Sequence, residues 1–364
     1  MATQVGRATP HRRSHECERG THSCVRHKVV LPAVAPFCTG AHLRYLRYMS
    51  SNVRDSYPYR VVDVFTEEAL AGNQLGVFPD SAGIDDATMQ KIAKELNVAE
   101  TVFIGPSTRA DCVANVRIFT PGREMPFAGH PTVGASFVLR EIGVVPKNVE
   151  HFALDEKIGP IPVRVEQGSG GRPLIWLTTP PITVGRAMDP GACARALGVD
   201  SAELLGKPPE IVSAGNPGVF IALKSKEAVD QAALDPNALR LLKRDPNDAF
   251  FVFVFTPTAQ GAYSRMFAPE HGVTEDPATG SATGPLAAYM MRHGLAARAD
   301  GTRLISEQGT KMGRRSILHI LTHGESGSKA IEVGGYVTPV IEGVMTIRHG
   351  YTGAGRESAL SNVV

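Results

Sequence analysis

Between residues 57 and 348 the apolar positions fall into many short runs, and most have the spacing of strands. Residues 59–65 alternate and carry three valines, which suits a half-buried strand. After a turn at Ala71-Gly72-Asn73-Gln74, residues 75–78 read as a second strand. Asp85 then caps a helix whose Met89, Ile92, Ala93 and Leu96 keep i, i+3, i+4, i+7 spacing. Residues 97–104 are a loop passing into a strand, and 112–119 are a strand broken by Thr120-Pro121-Gly122. Further strands are expected near 151–154, 161–166, 174–177, 219–223, 250–255, 263–267, 303–306, 316–321, 331–333 and 344–348. Residues 192–197 and 202–205 read as short helices.

Two stretches have neither spacing. In the helices expected at 131–142 and 277–293, small and apolar residues fall on every side, so both are buried all round rather than laid on a surface. Such a helix does not suit the face of a parallel sheet, where one side would be polar. A curved sheet wrapped around it does. Each half of the chain is thus expected to be many short strands around one buried helix, joined near 181–189.

The starts of these helices resemble each other. His130-Pro131-Thr132-Val133-Gly134-Ala135 aligns with Asp276-Pro277-Ala278-Thr279-Gly280-Ser281, roughly 146 positions later. Each copy sets a polar side chain before Pro, which suits the first helical position because its missing N–H is unpaired there anyway. Two helix starts with exposed backbone donors favour a carboxylate, each contributing about 0.3–1 kcal/mol. His130 can donate or accept, Asp276 can accept, and Thr279 and Ser281 add hydroxyls. Taken singly, each residue also fits a cap or a loop bond. Glu100 is a further candidate: set between a small residue and the strand Thr101-Val102-Phe103-Ile104, its carboxyl is partly desolvated, a condition that favours proton transfer, although a solvated strand-edge Glu fits the spacing too.

Composition narrows the classes. The 364 residues are 43% hydrophobic and 20% charged, as in a soluble globular protein of about two domains. The net charge of +2 leaves no footprint for nucleic acid. Residues 1–56 hold nine Lys or Arg against three Asp or Glu, so the remainder is mildly acidic. This basic extension reads as a disordered segment, an over-long start of translation or an organellar import signal. Its His15, Cys17, His22, Cys24 and His27 match no usual zinc spacing. Five cysteines, an odd number without CxxC, point to a reducing, cytoplasmic setting. No apolar run reaches the roughly 18 residues that would span a membrane. There is no phosphate loop, no GxGxxG after a strand, no HExxH and no G-x-S-x-G elbow, so neither a cofactor nor a metal is expected.

In order along the chain stand Val62-Asp63-Val64-Phe65, Gly72-Asn73, Ala99-Glu100-Thr101-Val102-Phe103, Pro126-Phe127-Ala128-Gly129-His130-Pro131-Thr132, Glu275 through Ala282, Gln308-Gly309 with Gly313-Arg314, and Gly334-Gly335. With these runs, covering roughly residues 58–348, the chain resembles the PhzF-like (phenazine biosynthesis) proteins, which share the diaminopimelate epimerase fold. The resemblance implies an α+β protein of two pseudo-symmetric domains, each a mixed, barrel-like β-sheet around a central α-helix. Their spans are 57–180 and 181–350, with the last strand able to cross to the first domain and a tail at 351–364. It implies a site in the cleft between them, with Glu100 as general acid/base. His130 and Asp276 orient a small carboxylate-bearing substrate, Ser281, Gly129 and Gly280 assist, and Asn73 lines the cleft. It also implies a homodimer. Two departures stand out: the family's usual Ser before the Glu is Ala99, and its usual Gly-Asn-Pro reads Gly72-Asn73-Gln74.

The expected activity is a cofactor-independent isomerase that moves a proton within one small metabolite. A non-catalytic metabolite-binding or interaction module on the same fold is the alternative. An amino-acid racemase or epimerase is the third reading. Racemase relatives of this fold carry two opposed thiols in Cys-Gly runs at the helix starts, where this chain has Ala128 and Pro277 or Ala278.

Overall fold

The computed structural model describes residues 56–244 and 250–347, so the readings of the basic extension and of the tail lie outside the described residues. The strands among them form one continuous sheet of eighteen. The first eight in chain order, together with the last of the chain, make one half. They are β1 (Ser56–Val64), β2 (Asn73–Phe78), β3 (Glu100–Gly105), β4 (Ala114–Phe119), the two-residue β5 (Glu124–Met125), β6 (His151–Glu156), β7 (Gly159–Gln167) and β8 (Pro173–Thr178). The other half holds β9 (Thr183–Ala187), β10 (Glu210–Ser213), β11 (Pro217–Ala222), β12 (Phe251–Thr258), β13 (Gly261–Ala268), β14 (Val273–Asp276), β15 (Arg303–Gln308), β16 (Ser316–His323) and β17 (Ala330–Gly335). The last strand, β18 (Val337–Thr346), pairs antiparallel with β1 from Ser56↔Thr346 to Val64↔Val337 and so belongs to the first half.

Counted this way, the halves repeat strand for strand. The first runs β18-β1-β2-β3-β4-β6-β7-β8 and the second β9-β10-β11-β12-β13-β15-β16-β17. In each the third and fourth strands are parallel, as are the fifth and sixth, and all other neighbours are antiparallel. A short strand, β5 or β14, adds to the fifth. β8 and β17 pair with each other and join the halves.

Parallel neighbours need a crossover. α1 (Asp86–Leu96) makes the first, capped as expected by the Asp85 carboxylate on the Thr88 amide. After α3 (Pro190–Leu197), α4 (Lys226–Gln231) and α5 (Pro236–Leu241) make its counterpart. The second crossovers are the central helices, α2 (Gly129–Glu141) and α6 (Gly280–Arg292). Every residue from Gly129 to Leu139 is buried, and so are Gly280 to Ala287 and Tyr289 to Met291. These helices are therefore crossovers in connectivity, yet the strands curl around them: α2 touches β1, β2, β3 and β8 beyond its own strands. Around α2 lie Val62, Leu75, Val102, Ile118 and Leu177. Around α6 lie Phe220, Phe253, Phe255 and Met266. Each such side chain, fully buried, contributes roughly 1.5–3 kcal/mol.

Several expected boundaries differ. Asn73 and Gln74 already belong to β2, because their backbone pairs with β1. Residues 202–205 are not a helix; a single 3₁₀ turn, Ser201–Glu203, stands there under an Asp200 cap. The join at 181–189 contains β9, and β18 begins seven residues before the expected 344, its outward side chains being exposed. α2 starts at Gly129 and α6 at Gly280, not at the prolines. Pro131 is the third residue of its helix, where its missing N–H is still one that needs no partner, while Pro277 lies in the turn before α6.

Candidate active site

The two central helices point their starts at each other. A Cβ added to Gly129 would lie 2.6 Å from the Gly280 carbonyl carbon, and one on Gly280 would lie 3.0 Å from the Gly129 Cα. Only residues without side chains let the two backbones approach this closely. Neither helix has a side-chain cap on its first turn, so the positive ends of two macrodipoles meet here. Beside them is a cavity of about 70 Å³. At 10–15 Å³ per water it has room for roughly five to seven waters, the scale of a small metabolite.

Glu100, His130, Asp276, Ser281, Gly129 and Gly280, all expected from sequence, border this cavity. Glu100 opens β3 and keeps 15% of its side chain exposed; its Oε2 lies 3.1 Å from His130 Nε2. That is the distance of an ion pair but not the direction of a hydrogen bond, and both atoms are buried without a hydrogen-bond partner. Burial is the largest influence on His130 and disfavours its charge, but Glu100 and then Asp276 outweigh it and hold the imidazole above its ordinary range. His130 is the second residue of α2, inside the helix rather than capping it.

Asp276 differs from Glu100 in being fully engaged. Its Oδ1 accepts from Asn73 Nδ2 at 2.7 Å and its Oδ2 from the Thr279 hydroxyl at 2.5 Å. Burial, helped by the Glu100 charge, pushes Asp276 up to about 6, while His130, Thr279 and Asn73 oppose the rise. Gln308 locks this turn from below, donating to the Asp276 carbonyl at 2.7 Å and to Thr279 Oγ1 at 3.0 Å, and accepting from the Thr279 amide at 3.2 Å. Asn73, expected to line the cleft, is fully buried one layer back, where it also donates to the Ala278 carbonyl at 2.9 Å.

Strand register reveals a repeat that the Pro-based alignment misses. Leu75 pairs with Glu100, and Gly218, two residues after Asn216 as Leu75 is two after Asn73, pairs with Phe251. Gly72-Asn73 therefore corresponds to Gly215-Asn216, and Glu100 to Phe251. Both glycines have positive φ, 65° and 97°. Each Asn reaches into the opposite half: Asn73 to the Ala278 carbonyl, and Asn216 to the Phe127 carbonyl at 3.4 Å. By helix starts, Ala128 corresponds to Thr279 and His130 to Ser281. By hairpin, Met125, paired with Ile118, corresponds to Asp276, paired with Met266. Asn216 and Phe251 were not singled out from sequence, although the second Gly-Asn, followed by Pro217, was a visible signal. The residues before the first helical glycines are thus Ala128 and Thr279, which corrects the expected Pro277 or Ala278; neither is a thiol.

A frame of two barrel-like sheets, each curled around a buried helix, with one carboxylate oxygen at their shared cavity left without a hydrogen-bond partner, is that of a metabolite isomerase with the diaminopimelate epimerase-like fold. The chain belongs to the phenazine biosynthesis-like (PhzC–PhzF) family, whose model matches residues 62–343. An uncharacterised isomerase of Mesorhizobium japonicum is 36% identical over 79% of this chain and 98% of that one. The trans-2,3-dihydro-3-hydroxyanthranilate isomerase of Pseudomonas aeruginosa is 33% identical over 78% and 98%. The crystal structure of a Bacillus anthracis PhzF-family phenazine biosynthesis protein, 24% identical, matches with a TM-score of 0.72 over 80% of this chain and 99% of that one, which shows the common fold. The chain is an isomerase of this family. Among the described residues no helix is long and apolar enough to cross a membrane.

Proposed function

We propose that the protein moves a proton between two carbons of a small carboxylate-bearing metabolite, with Glu100 as the single general acid/base. The observation that carries this reading is the contrast between its two carboxylates. Both Asp276 oxygens are held by neighbours, whereas Glu100 Oε2 is buried at the cavity without a hydrogen-bond partner. The substrate C–H bond breaks toward Glu100, the electron pair delocalises into the conjugated carboxylate, and Glu100, whose proton exchanges with solvent, returns a proton to a second carbon. His130 and the paired helix starts stabilise the extra negative charge, and Asp276 orients a hydroxyl or amine. Phe251 and Met125, standing where symmetry would set a second Glu100 and a second Asp276, give the substrate an apolar wall. A racemase needs an acid on each face; one carboxylate opposite a phenylalanine supports migration of a proton instead.

The substrate of the Pseudomonas aeruginosa relative, a ring carboxylate, is the first to assay in deuterium oxide. Glu100→Gln should abolish deuterium incorporation while leaving thermal unfolding unchanged. Exchange at the wild-type rate in that variant would sink the assignment.

A further inference from the structure

Beneath the start of α2 lies a carboxyl group that the reaction does not touch. Glu156 ends β6, is 2% exposed and has one oxygen, Oε2, without any partner. Its Oε1 is 2.5 Å from Thr132 Oγ1. The same hydroxyl lies 2.8 Å from the carbonyl of Ala128, the residue before α2. A threonine hydroxyl carries one hydrogen, and a carbonyl and an ionised carboxylate can only accept. One hydrogen cannot serve both. The arrangement closes if the carboxyl carries the proton: Glu156 donates to Thr132, and Thr132 donates to Ala128.

The other half supplies an independent parallel. Gln308 ends β15, the counterpart of β6, and lies under Thr279, the counterpart of Ala128. There a permanently neutral amide donates to the Thr279 hydroxyl and to the Asp276 carbonyl. Both halves thus set a side chain able to donate while neutral at the end of the same strand, below the residue that leads into the central helix.

We propose that Glu156 is a neutral carboxylic acid whose hydrogen bond to Thr132 fixes the Ala128 carbonyl and the start of α2, making it a positioning residue for Gly129 and His130. What it positions rests on the site assigned above; its protonation does not. Burial pushes this carboxyl up to about 8, opposed by Thr132. The charges beside it in sequence are engaged elsewhere, Asp155 with Ser107 and Lys157 with Glu124, and on α2 His130 faces Glu100. Neutrality has a purpose there. An ionised Glu156, beside Thr132 in the first turn of α2, would compete with an anionic substrate for the positive end of that helix.

Infrared difference spectra of the wild type against Glu156→Gln, at pH 7 and without ligand, test the protonation. A protonated C=O stretch present in the wild type and missing in the variant is expected; a difference containing only carboxylate bands overturns the proposal. Amide hydrogen exchange at Thr132, whose N–H donates to the Ala128 carbonyl at the start of α2, tests the positioning. Glu156→Gln should keep wild-type rates, and Glu156→Leu, of similar size without a donor, should speed exchange roughly three- to tenfold, as loss of one buried hydrogen bond does. Equal rates in the two variants, whether both slow or both fast, contradict it. Because neither measurement uses a substrate, failure of the isomerase reading leaves both outcomes readable.

Discussion

Gly129 and Gly280 touch backbone to backbone, so that the starts of two buried helices share one point of the molecule. Their dipoles repel unless negative charge lies between them, which is a physical reason for the cavity to prefer an anion.

Alanine at these glycines should be unequal in effect. A Cβ on Gly129 meets three backbone atoms at 2.6–2.7 Å, whereas one on Gly280 meets its nearest neighbours at 3.0–3.1 Å, one of them the edge of Phe65. Gly129→Ala should cost about 1–3 kcal/mol in denaturant unfolding and remove carboxylate binding. Gly280→Ala should cost less. A smaller loss for Gly129→Ala would contradict the packing described.

The two asparagines make another unequal pair. Asn73→Ala strands the buried Asp276 Oδ1 and the Ala278 carbonyl, each about 1–3 kcal/mol when left unpaired. Asn216→Ala removes one long contact and should cost less than about 1 kcal/mol, with its effect appearing in KM. Thermal unfolding and steady-state kinetics of the two variants separate these outcomes.

Stability should fall as pH rises, through groups that bind protons more tightly folded than unfolded. Asp276 is raised from 3.8 to about 6 and Glu156 from 4.5 to about 8. The unfolded chain releases these protons first, so stability is greatest below the lower value and declines until the higher one. His130, raised from 6.5, adds stability at low pH that is lost as pH passes its folded value. Glu156→Gln removes the 4.5–8 window. Between pH 5 and 8 the wild type should therefore lose stability relative to this variant, by at most about 1.4 kcal/mol per pH unit. Parallel melting curves would refute the shift.

Arg314 carries a larger share of the architecture than its half-buried position implies. From the second half it binds Asp63 at 2.6 Å and the carbonyls of Ala71 and Gly72 at 2.7 and 2.8 Å, just before Asn73. Asp63 is 1% exposed, and burial already raises it against the pull of the Leu70 amide and Arg314. Arg314→Ala should cost about 3–5 kcal/mol, and Asp63→Asn in that background should recover part of it. No recovery would mean that the carbonyl contacts, not the charge pair, dominate.

Cys112 and Cys193 are buried and free, and burial pushes their thiols up to about 11 and about 12. Alkylation at pH 7.5 should leave both unlabelled in mass spectra and leave turnover unchanged. Labelling of either with loss of activity would revive a thiol mechanism.

What the sequence made legible was set by burial. Helices apolar on every side could only be enclosed, and they are. Strands with an alternating pattern, such as β1, or a wholly apolar run, such as β12, declared themselves. β9, β10 and β14 did not, being only four or five residues long, with β9 and β14 mostly polar or exposed, and held by neighbours rather than by their own pattern. The residues that border the cavity were legible, but their register was not. Pro131 and Pro277 look alike in sequence, yet one lies within a helix and the other before it, so aligning them paired His130 with Asp276 rather than with Ser281. Strand pairing, which sequence does not display, restores the true match. Glu156 escaped notice because nothing local distinguishes it from its charged neighbours Asp155 and Lys157.

The place of β18 beside β1 has a consequence for biosynthesis. The barrel that carries Glu100 and His130 lacks an edge until residues 337–346 emerge from the ribosome, after the whole of the other barrel. Contacts between Ser56 and Thr346 span nearly the entire described chain, and such long-range closure slows folding. The half built from β9–β17 can assemble before β18 is made; the half that holds Glu100 is completed only afterwards.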